Sequence, residues 1–137
     1  MTRIVETTDA PAPVGPYSQA VVAGDLIFLA GQIGLDPATG RLVAGGAGAE
    51  VARVLENLTA VLRASGVGPE AVVKTTIYLV DLADGPVVNE AYARVFPAPH
   101  PARATVQVAA LPAGARVEIE AIAARAGAAR GRTGTGP

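Results

Sequence analysis

Arg103 follows the Pro-rich stretch PHPA and stands at the head of a predicted strand. A planar guanidinium in that position can hold a carboxylate through two parallel hydrogen bonds; a surface arginine at a strand start has the same local sequence. Residues 117–123 read VEIEAIA. Strand alternation puts Glu118 and Glu120 on one face, about 7 Å apart, and Ile119 and Ala121 on the other. A carboxylate inside an apolar strand needs a partner or a task. One of the two can act as general base toward a water, while an ordinary solvated strand face gives the same pattern. The rigid stretch GPYSQ, residues 15–19, places the Tyr17 phenol beside polar groups. That phenol can hydrogen-bond a substrate, or simply pack as an aromatic at a strand start.

Several chemistries are excluded by composition. The chain has no cysteine and one histidine, so thiolate nucleophiles, disulfides, Cys-ligated metals and His-cluster metal sites are out. That histidine, His100, lies between Pro99 and Pro101 and reads as an exposed loop residue. Phosphate-binding loops of the Walker or dinucleotide type are absent, and Gly45, Gly46 and Gly48 read as a flexible approach to a helix. The net charge of −1 becomes −3 once Arg130 and Arg132 of the C-terminal stretch are set aside, and no basic stripe interleaves with aromatics, so nucleic acid is not an expected partner.

These candidates need a scaffold. The 137 residues are 50% apolar and 17% charged, enough for one domain with a core. We expect the domain over residues 1–125. Residues 126–137, AGAARGRTGTGP, carry no large apolar side chain and are expected to be a disordered tail. Residues 1–9 contain no apolar stretch that would mark a signal peptide, and no run is long enough to span a membrane, so a cytoplasmic protein is expected.

After the extended Pro-rich segment 10–16, residues 18–24 and 26–34 read as a hairpin, and 41–43 as a short run that pairs back. Val51, Val54, Leu55, Leu58, Val61 and Leu62 form a helical stripe that stops at Gly66. Residues 72–80 read as a central strand. Asp84 is an N-cap candidate for a second helix whose apolar face is Val88, Ala91, Tyr92 and Val95. Strands over 104–111 and 116–124 close the domain around the turn Pro112-Ala113-Gly114. The expected fold is α+β, a mixed sheet of five or six strands with two helices on one face. Two helices cover only one face, and the other face keeps residues such as Ile122. A homo-oligomer is therefore expected.

Taken together, APAPVGPYSQAV, GDLIFLAGQIGLDPATG, ENLTAVLRASG, VVKTTIYLVDL, NEAYARVF, PARATVQVAALP and VEIEAIA resemble the Rid (YjgF-like) family of reactive imine deaminases, in family order and over nearly all of residues 10–124. The resemblance implies a chorismate-mutase-like fold. It also implies a homotrimer whose sheets form a central barrel, with clefts between subunits. It implies hydrolysis of 2-aminoacrylate- and 2-iminopropanoate-type acids to 2-keto acids and ammonia, with no metal or organic cofactor. Residue by residue, it makes Arg103 the clamp for the substrate carboxylate and Glu118 the acid that positions the attacking water. Tyr17 becomes the cleft tyrosine from the neighbouring subunit, Gly31 the cleft glycine and Asn89 the asparagine of the second helix. Thr105 stands where many members have Cys, in a role that is largely main-chain. Ala30 stands where many have Ser or Thr, which removes a hydroxyl from the cleft, and Gln107 where Glu is frequent.

The implied chemistry suits these side chains. An iminium carbon is already electrophilic, so a site must only hold the carboxylate, orient the imine and place one water. A small-acid-binding trimer without turnover, kept open by Ala30, and a nucleic-acid-directed activity are the competing expectations.

Overall fold

Two periodicities divide the chain between sheet and helix: alternation of two around residues 20–32, 72–79 and 117–124, and the 3.6-residue stripe of residues 51–62. The computed structural model describes residues 2–125; the expected tail, 126–137, lies outside the described residues. The strands are β1 (Thr2–Val5), β2 (Ala20–Ala23), β3 (Leu26–Gln32), β4 (Val72–Leu79), β5 (Ala102–Gln107) and β6 (Val117–Ala124). The helices are α1 (Gly46–Ala64) and α2 (Gly85–Val95). One sheet runs β1-β2-β3-β6-β4-β5. It is antiparallel except for the parallel pair β4 and β5, which α2 connects. The fold is α+β, as expected.

The helical stripe is buried throughout: Val51, Val54, Val61 and Leu62 are inaccessible, and Leu55 and Leu58 nearly so. It packs on Ile27 and Leu29 of β3, Ile77 and Leu79 of β4, and Val117, Ile119, Ala121 and Ala123 of β6. Full burial of side chains of this size stabilises by roughly 1.5–3 kcal/mol each. Val88 and Tyr92 anchor α2 on the same core, with Ala91 and Val95 partly covered.

The structure corrects the expectations in four places. The sixth strand is β1, whose Thr2, Ile4 and Val5 are β-branched but over which no strand was expected; the run 41–43 makes only a single bridge, Leu35 to Leu42. Helix α1 spans Gly46–Ala64, so Gly48 lies in its first turn, and the chain enters it through two glycines with positive φ, Gly45 at 118° and Gly46 at 79°. Asp84 occupies the N-cap position, yet its carboxylate makes no cap bond. It is held by Arg116, whose Nε and Nη2 donate at 3.1 and 3.2 Å. Finally, β5 ends at Gln107, and β5 and β6 are not neighbours, because β4 lies between them. A parallel β4–α2–β5 crossover cannot be told from a hairpin by alternation alone.

Two buried amides fix the loops that flank the open face. Gln19 Nε2 donates to the carbonyls of Thr7 at 3.0 Å and Pro11 at 2.9 Å, and its Oε1 accepts from the Thr7 N–H at 2.7 Å. This ties down the segment that leads to Tyr17. Asn57 is inaccessible on α1. Its Nδ2 donates to the carbonyls of Ile33 at 3.2 Å and Leu35 at 3.0 Å, while Oδ1 accepts from Arg53 Nε at 3.0 Å. Asn57→Ala removes the donor from the carbonyls of Ile33 and Leu35 and leaves them without their amide partner. We expect it to lower unfolding free energy by about 3 kcal/mol in urea denaturation; a loss below about 0.5 kcal/mol would show that the loop after β3 satisfies itself.

Candidate functional site

β6 is the strand on which the site is built. Its odd-numbered residues face the helices and are buried, and its even-numbered residues Glu118, Glu120 and Ile122 point to the open face, each half-covered. Glu118 pairs across the sheet with Tyr78, and Glu120 with Thr76. On the other side, the register of β3 shifts between Leu29 and Gln32, so Ala30 and Gly31 form a bulge beside Glu120. The bulge brings the Gly31 backbone against Glu118. A side chain at 31 would collide with Glu118 Oε2 and come within 2.9 Å of its Cδ. Glycine is required there for space.

Glu120 accepts a hydrogen bond from the Tyr78 hydroxyl at 3.1 Å. Glu118 has no ion-pair partner among the described residues. Burial pushes its carboxyl above the ordinary value of 4.5, and the nearby Glu120 charge adds to that. The Tyr78 hydroxyl is likewise raised, first by burial and then by Glu120.

Arg103 lies elsewhere. It pairs across β4–β5 with Thr75, whose side chain is buried on the helix side of the sheet, and Thr105 pairs with buried Ile77. Arg103 and Thr105 therefore share the helix-side face of β5, opposite to the face that carries Glu118. The Arg103 guanidinium carbon stands 5.0 Å from the Tyr92 ring centroid. No carboxylate is within ion-pair distance of it among the described residues. Both faces of β5 are exposed in the single chain. Asn89 is exposed on α2, three residues before Tyr92.

Tyr17 sits in the loop between β1 and β2, 49% exposed. Its N–H donates to the Gly15 carbonyl at 2.9 Å, and its hydroxyl accepts from the Val14 N–H at 3.4 Å. Within one chain, then, the structure joins Gly31 to Glu118 and aligns Arg103 with Thr105. No hydrogen bond or ion pair links Tyr17, Arg103 and Glu118 among the described residues. A cavity of about 800 Å³ between α1 and α2, beside Arg53, Arg63 and Arg94, is lined by none of these residues. Among the described residues, no group of three or more Asp, Glu or His side chains is placed to hold a metal ion.

Sequence reasoning passed over two residues that touch this machinery, Tyr78 and Tyr92, assigning one to a strand and the other to an apolar helix face. The available signal was the phenol itself, since a buried tyrosine hydroxyl usually finds a partner.

The raised Glu118 carboxyl has a consequence for stability. Between the ordinary carboxylate value and its own, the folded chain binds more protons than the unfolded chain. The stability contributed by protonated Glu118 is thus complete below the unfolded value and is lost as pH rises through the folded one. Glu118→Gln removes that loss. In urea titrations at one fixed protein concentration, the advantage of Glu118→Gln over wild type should grow from about pH 4 to about pH 7. A constant or shrinking difference would show that burial does not penalise this charge.

The family described as Endoribonuclease L-PSP matches residues 7–125. The chain is 54% identical over 109 residues to Reactive Intermediate Deaminase A, chloroplastic, of Arabidopsis thaliana, covering 80% of this chain and 58% of that longer protein. It is 49% identical to 2-iminobutanoate/2-iminopropanoate deaminase of Homo sapiens, covering 80% of each. The crystal structure of E. coli TdcF with bound serine superposes with a TM-score of 0.86 at 39% identity, over 90% of this chain and 99% of that one. With the family match running from Thr7 to Arg125 and these identities over four-fifths of its length, this chain belongs to the Rid family of endoribonuclease L-PSP-like proteins.

Proposed function

We propose that this protein is an imine deaminase. It hydrolyses 2-imino and enamine acids of the 2-iminopropanoate and 2-aminoacrylate type to 2-keto acids and ammonia, in clefts between the subunits of a homotrimer. The observation that carries the reading is the half-buried Glu118 carboxylate, without an ion-pair partner among the described residues, packed on Gly31 and more basic than usual. That is the state a general base for water needs. The human relative's name states the activity, and the E. coli relative was solved with serine, a small amino acid, bound.

The mechanism divides between two chains. Arg103 and Glu118 lie on opposite faces of one sheet, so a cleft that uses both takes Arg103 and Thr105 from one subunit and Glu118 and Gly31 from the next. Tyr17 enters the cleft from the subunit facing Arg103. The open sheet face supports association: Ile4 is 52% exposed, Phe28 44% and Val106 41%, and burying apolar surface of this kind against another copy is favourable. In the cleft, Arg103 holds the carboxylate of the substrate, with Asn89 beside it, and the Thr105 main chain orients the imine nitrogen. Glu118 takes a proton from water as its oxygen bonds to the imine carbon. The C=N bond becomes a C–N single bond and that proton passes to nitrogen; the new hydroxyl then gives up its own proton, which also goes to nitrogen through Glu118, the C–N bond breaks, the keto group forms and ammonia leaves. We place this work in the cytoplasm. Among the described residues no helix is long and apolar enough to cross a membrane.

A second reading is a trimer that binds small carboxylates without turnover; Ala30, in the bulge beside Glu120, offers no hydroxyl there. RNA cleavage, which the family description names, is opposed by the pair Glu118 and Glu120 on the open face, where a polyanion would be repelled.

Imino acids generated by an amino acid oxidase and trapped with semicarbazide separate these readings. Wild type should suppress semicarbazone formation, and Arg103→Ala should lose about a hundredfold or more in kcat/KM while remaining trimeric by light scattering. Background rates from the wild type, with 2-keto acids still bound, would leave the binding reading standing. A monomer in solution would remove the shared cleft.

A further inference from the structure

We propose that Tyr92 is the positioning residue for Arg103, its ring face holding the guanidinium in place on an edge strand that is exposed within its own chain. The inference deepens the reading above, since it takes Arg103 as the carboxylate anchor.

β5 is an edge strand with every residue exposed, and an arginine on such a strand would ordinarily sample many rotamers. Here one aromatic face lies beneath it. Tyr92 is 4% exposed on the buried side of α2, and the Arg103 guanidinium carbon is 5.0 Å from its ring centroid. The ring is itself held at both ends. Its hydroxyl is 2.7 Å from Thr75 Oγ1, and Thr75 is inaccessible and is the cross-strand partner of Arg103. The ring also packs against Phe96, at 4.7 Å between centroids and 49° between planes. A cation over the ring is drawn to the negative π face. The stack occupies the guanidinium plane and leaves its N–H edge for a carboxylate. Three elements thus converge on one side chain: β4 through Thr75, α2 through Tyr92 and β5 through Arg103. An anchor ordered before the ligand arrives loses less freedom on binding.

The test uses the full-length protein and pyruvate, a keto-acid probe, in isothermal titration, with imine turnover measured alongside. Tyr92→Phe keeps the ring and should bind pyruvate within about twofold of wild type. Tyr92→Leu should bind about fivefold or more weakly, with KM raised and kcat little changed. A purely structural tyrosine would instead lower Tm in both variants and leave affinity alone. Wild-type affinity in Tyr92→Leu, or equal weakening in both variants, overturns the assignment. If Arg103→Ala also binds pyruvate as wild type does, the carboxylate-anchor reading falls and this one with it. If only Arg103→Ala loses binding, the Tyr92 assignment falls alone. Should Tyr92→Leu not fold, nitrogen-15 spectra of the wild type decide. The Arg103 Nε–H signal, assigned by its loss in Arg103→Lys, should be shifted upfield by the ring current, and an unshifted signal overturns the proposal.

Discussion

A β-strand sends successive side chains to opposite faces, and in β6 that rule is under load from both sides. One face must bury Val117, Ile119, Ala121 and Ala123 beneath α1, and a one-residue slip would exchange that apolar set for two glutamates. Register is therefore held strongly by the core. Glu118 and Glu120 are carried to the open face as a consequence, half-covered and beside each other. The packing that stabilises the domain is also what places its acid.

The head of β6 is clamped to both helices. The Arg116 N–H donates to Glu50 Oε1 of α1 at 2.7 Å, and the Arg116 guanidinium grips Asp84 at the start of α2. Glu50 is 3% exposed and is pressed by Gly34, where an added Cβ would sit 3.0 Å from the Glu50 backbone. This network explains why Asp84 does not cap α2: a guanidinium is a stronger partner for its carboxylate than one helical N–H. It also holds the strand two residues before Glu118, so the acid extends from a fixed point. Gln19 and Asn57 do comparable work on the loops, each by satisfying backbone groups that would otherwise be buried without partners.

β5 contrasts with β6. It lies at the sheet edge, pairs only with β4 and is exposed along its whole length in the single chain. Exposure on both faces suits a strand whose side chains meet another chain, and the Tyr92 ring centroid lies 5.0 Å from the Arg103 guanidinium carbon. The separation of Arg103 from Glu118 by the sheet makes a single copy incomplete for the proposed reaction, and the exposed Ile4, Phe28 and Val106 give the copies a reason to meet.

The residues by themselves determined the α1 stripe, the apolar face of α2, the β2–β3 hairpin and the alternation of β6, because each rests on a local period that needs no distant partner. Arg103, Glu118 and Tyr17 were likewise visible as polar groups set in apolar or rigid surroundings. Only the tertiary structure decided which strands lie side by side. The insertion of β6 between β3 and β4, the recruitment of β1 to the edge and the parallel placement of β5 all depend on contacts between residues far apart in the chain. The same long-range pairing brings Gly31 against Glu118, takes Asp84 from its helix to Arg116 and sets Tyr92 beneath Arg103. Local spacing encodes which face a side chain occupies; what meets it there is settled by chain closure over tens of residues, which no local period records.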